Sequence, residues 1–447
     1  MLEHLDDPTP PTPTARELAI VLGRSAKLRR RRAASVLTVL GVVALVLGIF
    51  IGSLVPRPPS PLRVTVTNLA SHSGALAAGL EVPTADVVSA VFPDDQHGFA
   101  LTVGTHKTAL VASTDGGNSW QVVQGHLPVN SEAQLDFANM SHGYLWGTSA
   151  QSGATVPLWV TVDGGKSWAK APIGPVVSDV TAIGASVWAV VGTCPLSSQS
   201  GAPSCPVALE VSSDGGTTWA ESDAAPPLLE SAQTSYDDQD IELVRMTIAH
   251  AYVLTFDPAG QDTSLDRIVY TSDTGKAWTD VPDPCPQTFG FSSELAGSGT
   301  DDLWLICATE PSAGSQGKAL YRSYDGGGTW ALVSQTAASG ISGGNALPAT
   351  GGIALSGYVA PVSLGHRNLA VISSTEAWLF PDRGGVYETT DGGSTWRYPE
   401  SLTSAGFSSL GTSGDIVFAD PTHGWIDEPG AGVWRTTDGT TWKQLGP

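Results

Sequence analysis

The chain has 447 residues and carries 43 Asp and Glu against 22 Lys and Arg, a formal net charge of −21. An acidic surface of this kind disfavours nucleic acid or anionic lipid as a partner of the bulk of the molecule. With 51 Gly and 31 Pro, the composition is that of a turn-dense all-β protein.

The charge is unevenly placed. The first 57 residues hold eight Lys or Arg against four acids, leaving 14 basic and 39 acidic residues beyond them. Residues 1–32 form a basic tail whose Pro8–Thr14 stretch is low in complexity and expected to be disordered, while Arg16–Arg32 suits a basic helix on the inner leaflet. Residues 33–55 are 23 consecutive uncharged residues, long enough for a transmembrane helix. The run Arg29–Arg32 just before them predicts a cytoplasmic N-terminus. A cleaved signal peptide fits less well, because the leading region exceeds 30 residues and no Ala-x-Ala site follows. Residues 56–83, beginning near Arg57-Pro58-Pro59-Ser60-Pro61, then read as a stalk, and 84–447 as one exported domain in the cell membrane's outer space.

That domain is built from a repeat. Asp115 with Trp120, Asp163 with Trp168, Asp214 with Trp219 and Asp325 with Trp330 each enclose a Gly pair. Asp391 with Trp396 does the same, Asp273 with Trp278 lacks the first Gly, and Asp438 with Trp442 is one residue shorter. These seven copies lie 47 to 66 residues apart, a period that marks a propeller or solenoid. A second marker precedes each copy by 13 to 26 residues: Phe99, Tyr144, Trp188, Tyr252, Trp304, Trp378 and Trp425. Three of these follow His-Gly, at His97-Gly98, His142-Gly143 and His423-Gly424. Each unit reads as four short strands, rich in Val, Ile and aromatics and punctuated by Gly, Asp and Ser, with no helical periodicity. The prediction is an all-β, seven-bladed propeller of four-stranded blades. In each box the Asp carboxylate accepts hydrogen bonds within its own turn, Gly supplies positive φ, and Trp wedges between blades. Spread one per blade around a ring, the seven Asp are expected to be structural, with no catalytic, cofactor or metal role.

These residues make up an Asp box, and the chain resembles the superfamily of Asp-box (BNR) repeat propellers over roughly 84–447. That superfamily includes sialidases, sortilin-type receptors, two-propeller xyloglucanases and the photosystem II assembly factor; the box with a preceding His-Gly-Trp element is most similar to the last group. The resemblance implies the fold strongly and the function weakly, because one scaffold hosts many sites. A sialidase-like site implies an arginine triad gripping a carboxylate, and the arginines Arg322, Arg383, Arg397 and Arg435 mostly flank boxes instead. The assembly-factor group implies a basic recognition patch, for which this acidic domain has no evident equivalent in sequence.

The even cysteine count in an exported domain favours disulfides, with pairings Cys194–Cys205 and Cys285–Cys307 expected. Alternating connections place all the extra chain length on one face, opposite the boxes, where binding residues concentrate. The acidic stretch Tyr236, Asp237, Asp238 and Asp240 is the candidate binding loop there, and Arg245 and Arg267 are the basic residues expected near the middle of the ring. The function expected is a membrane-anchored extracytoplasmic binding or scaffold module for a protein, peptide or glycan. The alternatives are a sialidase-type glycoside hydrolase and an assembly factor for a membrane-protein complex.

Overall fold

The computed structural model describes residues 87–445, apart from stretches within the connections, of which 193–204, 257–266 and 337–366 are the longest. The tail, apolar segment and stalk assigned to 1–32, 33–55 and 56–83 lie outside the described residues, as do Cys194, Tyr236, Asp237 and Asp238. Among the described residues, no helix is long and apolar enough to cross a membrane.

Seven antiparallel sheets follow one another along the chain, each a meander whose strands pair in sequence order. Their first strands are Val87–Val91, Gln134–Phe137, Val176–Ile183, Asp240–Arg245, Ser292–Gly297, Leu369–Val371 and Asp415–Phe418. Two blades depart from four strands. Blade 3 gains a short strand, Gln233–Thr234, paired with Cys205–Ser212. Blade 6 keeps three strands, and its fourth is reduced to the single bridge Glu388–Arg397. The cause is Pro399, two residues beyond Arg397: a proline there has no N–H to extend the ladder. A five-residue helix, Glu400–Ser404, follows instead, too short to show periodicity in the sequence. Leu402 and Phe407 bury themselves against Phe380 and Trp434 in its place.

The hydrophobic core is divided into seven clusters, one at each junction between consecutive blades. Every cluster contains the marker aromatic of one blade and the box Trp of the next, as with Trp188 and Trp278 or Trp378 and Trp442. Each such ring buries about 150–250 Å², roughly 4–6 kcal/mol gross at ~25 cal/mol per Å². The ring closes in the same way. Trp425 of blade 7 stacks on Phe92 of blade 1 at 3.9 Å between centroids and donates to Gly116 O at 3.1 Å. Arg435 adds bonds to Asp95 O at 2.9 Å and Asp115 O at 3.2 Å. Among the described residues, blades 1 and 7 each consist of four consecutive strands, so side chains close the disc without strand exchange.

The His-Gly elements have a steric origin. Phe137 and Phe418 end their first strands and Phe92 directly follows its own; they lie over Gly143, Gly424 and Gly98, where an added Cβ would fall 2.4 to 2.5 Å from the ring. Phe137 thereby stacks on Phe99 of the preceding blade at 3.6 Å. The preceding His caps its own turn, as His97 does on Asp94 at 2.9 Å.

In the Asp boxes, Asp163 Oδ1 accepts from Ser167 N at 2.9 Å and Thr161 Oγ1 at 2.8 Å. The Thr161 hydroxyl in turn accepts from Gly165 N at 2.9 Å, so the last residue of the third strand belongs to the motif. Bonding to amides and hydroxyls outweighs partial burial and holds this carboxyl below the usual carboxylate range. The shortened box at Asp438 keeps the amide bonds from Thr440 and Thr441 but has one positive-φ Gly instead of two. In blade 4, Thr274 occupies the position of the missing Gly with φ of 66°, the only positive-φ non-Gly residue described. A β-branched residue pays about 1–2 kcal/mol to stand in that region. Thr274→Gly should therefore raise stability by about 1 kcal/mol; a denaturant midpoint that falls or stays level contradicts this account of the turn.

Candidate ligand-binding channel

The first strand of each blade faces the axis of the disc and is an edge strand, with amides that no further strand can satisfy. At one register position, two residues before the one opposite the marker aromatic, the seven blades place Ser89, Gln134, Asp179, Glu242, Glu294, Asn368 and Asp415. Asn368 stands just before its strand, in the same register. The carboxylates among them satisfy the neighbouring blade's edge. Asp179 accepts from Leu243 N at 2.9 Å, and Glu242 accepts from Leu295 N at 3.2 Å. Glu294 accepts from Leu369 N at 3.0 Å and from Asn368 N and Nδ2 at 3.0 and 2.9 Å. Asp415 accepts from Arg367 N at 3.0 Å. A ring of acids thus ties blade 3 to 4, 4 to 5, 5 to 6, and 6 to 7, each charge-assisted bond worth about 1.5–3 kcal/mol.

Inside this ring lies a cavity of about 320 Å³, lined among others by Asp136, Trp146, Asp179, Arg245, Arg367 and Asp415. Arg367 enters it from the long connection before blade 6 and feels the charges of Asp179, Glu242, Glu294 and Asp136. Burial opposes its charge, yet these acids more than offset that and hold it above its ordinary value. The acids respond in the opposite sense. Burial raises Asp136 and Asp179 to about 6 and Glu294 to about 7, against the lowering influence of Arg367 and the amide bonds. Burial and the neighbouring Glu294 raise Glu242 as well. Arg245 is held at the cavity's edge by Ser186 O at 2.8 Å and lies 4.5 Å over the Trp188 ring.

Several sequence expectations change here. Arg267 is not near the axis: it pairs with Asp280 on the last strand of its blade. Arg367 takes the central place, and the ring acids are not legible in sequence because they stand one to a blade, more than 50 positions apart. Asp240 opens the first strand of blade 4, paired with Phe256, while the rest of its candidate loop is outside the described residues. Cys285 and Cys307 form a disulfide with 5.6 Å between Cα atoms, joining the link before blade 5 to that blade's second strand. Arg322 and Arg435 flank boxes as expected, and each reaches the next blade's box region, Arg322 through Ser374 O at 2.7 Å. Among the described residues, two arginines line the cavity and no triad forms there. Nor does any group of three His, Cys, Asp or Glu among them suit a metal ion.

The chain is similar in fold to several solved propellers. It shares 17% identity with YCF48 bound to D1 peptide, covering 80% of this chain and 95% of that one, with a TM-score of 0.46. For YCF48 from Cyanidioschyzon merolae the identity is 13%, over 84% and 99% of the chains, with a TM-score of 0.46. For the GH74 enzyme of Niastella koreensis it is 16%, over 81% and 65%, with a TM-score of 0.36. No protein-family model and no curated protein matches the chain. These likenesses concern the fold alone.

The two sets of acids give stability opposite pH dependences. Between roughly pH 4 and 7, the folded ring binds protons that the unfolded chain has already released, so folding gains as pH falls through that window. The box carboxylates sit below their unfolded values, and their contribution is lost only as pH falls below about 4. The denaturation midpoint should therefore rise from pH 7.5 to 5.5 and drop below 4; a midpoint that climbs with pH across 5.5 to 7.5 contradicts the ring assignment. Arg367→Leu removes the charge facing four acids and should cost about 3–5 kcal/mol at pH 7.5 and less at pH 5.5, measured by denaturant unfolding.

Proposed function

We propose that this chain is a membrane-tethered, extracytoplasmic binding module that receives its ligand at the centre of the disc, from the face opposite the Asp boxes. The observation that carries this reading is the cavity itself, whose polar groups are only partly used by the fold. Asp179, Glu294 and Asp415 are committed to neighbouring amides, whereas Asp136 accepts only from the adjacent Phe137 amide. The guanidinium of Arg367 makes no direct ion pair or hydrogen bond among the described residues. Arg367 offsets the ring acids through space while its guanidinium hydrogen bonds stay unmade among the described residues, and a concave polar site of about 300 Å³ is of ligand size.

Long connections support the same face. The second strands of blades 3 and 4 end at Gly192 and Phe256 and their third strands begin at Cys205 and Arg267. The ring of polar residues sits toward the starting ends of the first strands, on that side. The 23 uncharged residues at 33–55 and the Arg run before them support tethering with the propeller outside the cell. A hydrolase working through two carboxylates has less support, since it needs an acid and a second carboxylate free to act on substrate. Asp179 spends both oxygens on the amides of Val180 and Leu243.

The test is directional. A photoreactive residue at Glu310, exposed beside the second-to-third-strand connection of blade 5, should crosslink the ligand-bearing partner in intact cells. The same residue at Asn118 or Ser394, exposed in the boxes of blades 1 and 6, should not. Capture from the box positions alone would sink the proposal.

A further inference from the structure

The channel cavity holds two opposite charges that the fold keeps apart. Arg367 lines it together with Asp136, yet its guanidinium makes no direct ion pair or hydrogen bond among the described residues. Asp136 accepts only from the adjacent Phe137 amide, and each of the two feels the other's charge. The remaining charged groups of the lining are committed. Arg245 donates to Ser186 O and Oγ at 2.8 and 2.9 Å, Asp179 accepts from the Val180 and Leu243 amides, and Asp415 accepts from Arg367 N. Backbone donors lie on the same side of the channel. In blades 4, 5 and 6 the edge amides of Leu243, Leu295 and Leu369 are taken by a neighbour's carboxylate. Ala90 of blade 1 and Leu135 of blade 2 hold the same register and line the cavity, and among the described residues no side chain accepts from their amides. Between these polar groups Val91, Val180, Val244 and Val417 form an apolar wall.

An anion alone suits Arg367 but is repelled by Asp136, Asp179 and Asp415; a cation alone suits Asp136 but meets Arg367 already in place. A molecule carrying both charges gives each group its opposite. Burial raises Glu242 and Glu294 behind the lining, so near neutral pH they carry less than full charge and leave Arg367 short of full neutralisation. Within about 320 Å³ the two charges of the occupant must also lie close together. An α-amino acid bears them on a single carbon. Its ammonium has three donors for Asp136, and its planar carboxylate matches the guanidinium fork, with the edge amides as further donors. Resting on the binding role above, we propose that the channel cavity holds a free α-amino acid with an aliphatic side chain, its carboxylate on Arg367, its ammonium on Asp136 and its side chain against the valine wall.

The experiment titrates the full-length protein in lipid nanodiscs by isothermal calorimetry. The probes are L-leucine and L-valine, with leucinamide as the cation lacking a carboxylate, N-acetyl-leucine as the anion lacking an ammonium, and N-acetyl-leucinamide lacking both. At least one free amino acid should bind, with the blocked derivatives roughly tenfold weaker or worse, a difference of about 1.4 kcal/mol. Asp136→Asn and Arg367→Lys should each weaken it several-fold, the second because a lysine ammonium keeps the charge but not the two-pronged grip on a carboxylate. Circular dichroism and the unfolding midpoint of each variant separate loss of the site from loss of the fold. Binding of neither amino acid overturns the assignment. So does leucinamide or N-acetyl-leucine binding as tightly as leucine, which would point to one end of a peptide, or a folded Asp136→Asn variant that binds like the parent. If that occurs while Glu310 still captures a partner, the binding module stands and only its ligand class is wrong; loss of both removes the two readings together.

Discussion

The structure depends on how a closed ring of sheets treats its innermost edges. Every blade offers its first strand to the axis, and an edge strand carries amides that must find partners or lose the hydrogen bonds they made in water. Here the partners are carboxylates of neighbouring blades. Asp179, Glu242, Glu294 and Asp415 each reach a backbone N–H across a blade junction. Burying acids around one axis is unfavourable in itself, and the raised proton affinities of Asp179 and Glu294 express the cost of that burial. Arg367 relieves it from the centre. The polar character of the channel is thus first a consequence of closing the disc, and only second a property a ligand can use.

The outer parts of the blades solve a different problem. A propeller has no single core, so each junction must be stable enough alone, and each combines a marker aromatic with the box Trp that follows it. The junction between blades 7 and 1 follows the same rule and adds Arg435. Among the described residues the seam is built like every other junction, by side chains and without an exchanged strand. The same economy makes local exceptions tolerable: blade 6 gives up its fourth strand at Pro399, and a short helix with Leu402 and Phe407 covers what would otherwise be an open edge.

Much of this was legible in the sequence for a definable reason. Asp, Gly and Trp recur at fixed offsets because the box is a local turn whose bonds close within five residues, so its chemistry is written contiguously. His-Gly before the aromatic was visible too, although its cause, a Phe six residues earlier lying over the Gly, emerges only in the packing. The channel was not legible. Its members stand one to a blade, from Ser89 to Asp415, and nothing in any one strand marks a lone Glu as facing the axis. Arg367 was hidden at the end of a long connection, while Arg267, equally plausible in sequence, turned outward to Asp280.

The sequence by itself determined the number of blades, their all-β character and the chemistry of every box turn, since these rest on local periodicity and near-neighbour hydrogen bonds. Tertiary structure alone decided which acids share a chamber, which of them are consumed by neighbouring amides, and that Arg367 is the cation set among them. That division follows from distance along the chain: bonds between consecutive blades join residues about 50 to 75 positions apart, such as Asp179 to Leu243 and Glu294 to Leu369, and Trp425 reaches Gly116 at the seam 309 positions away. Only closing the ring brings such positions together.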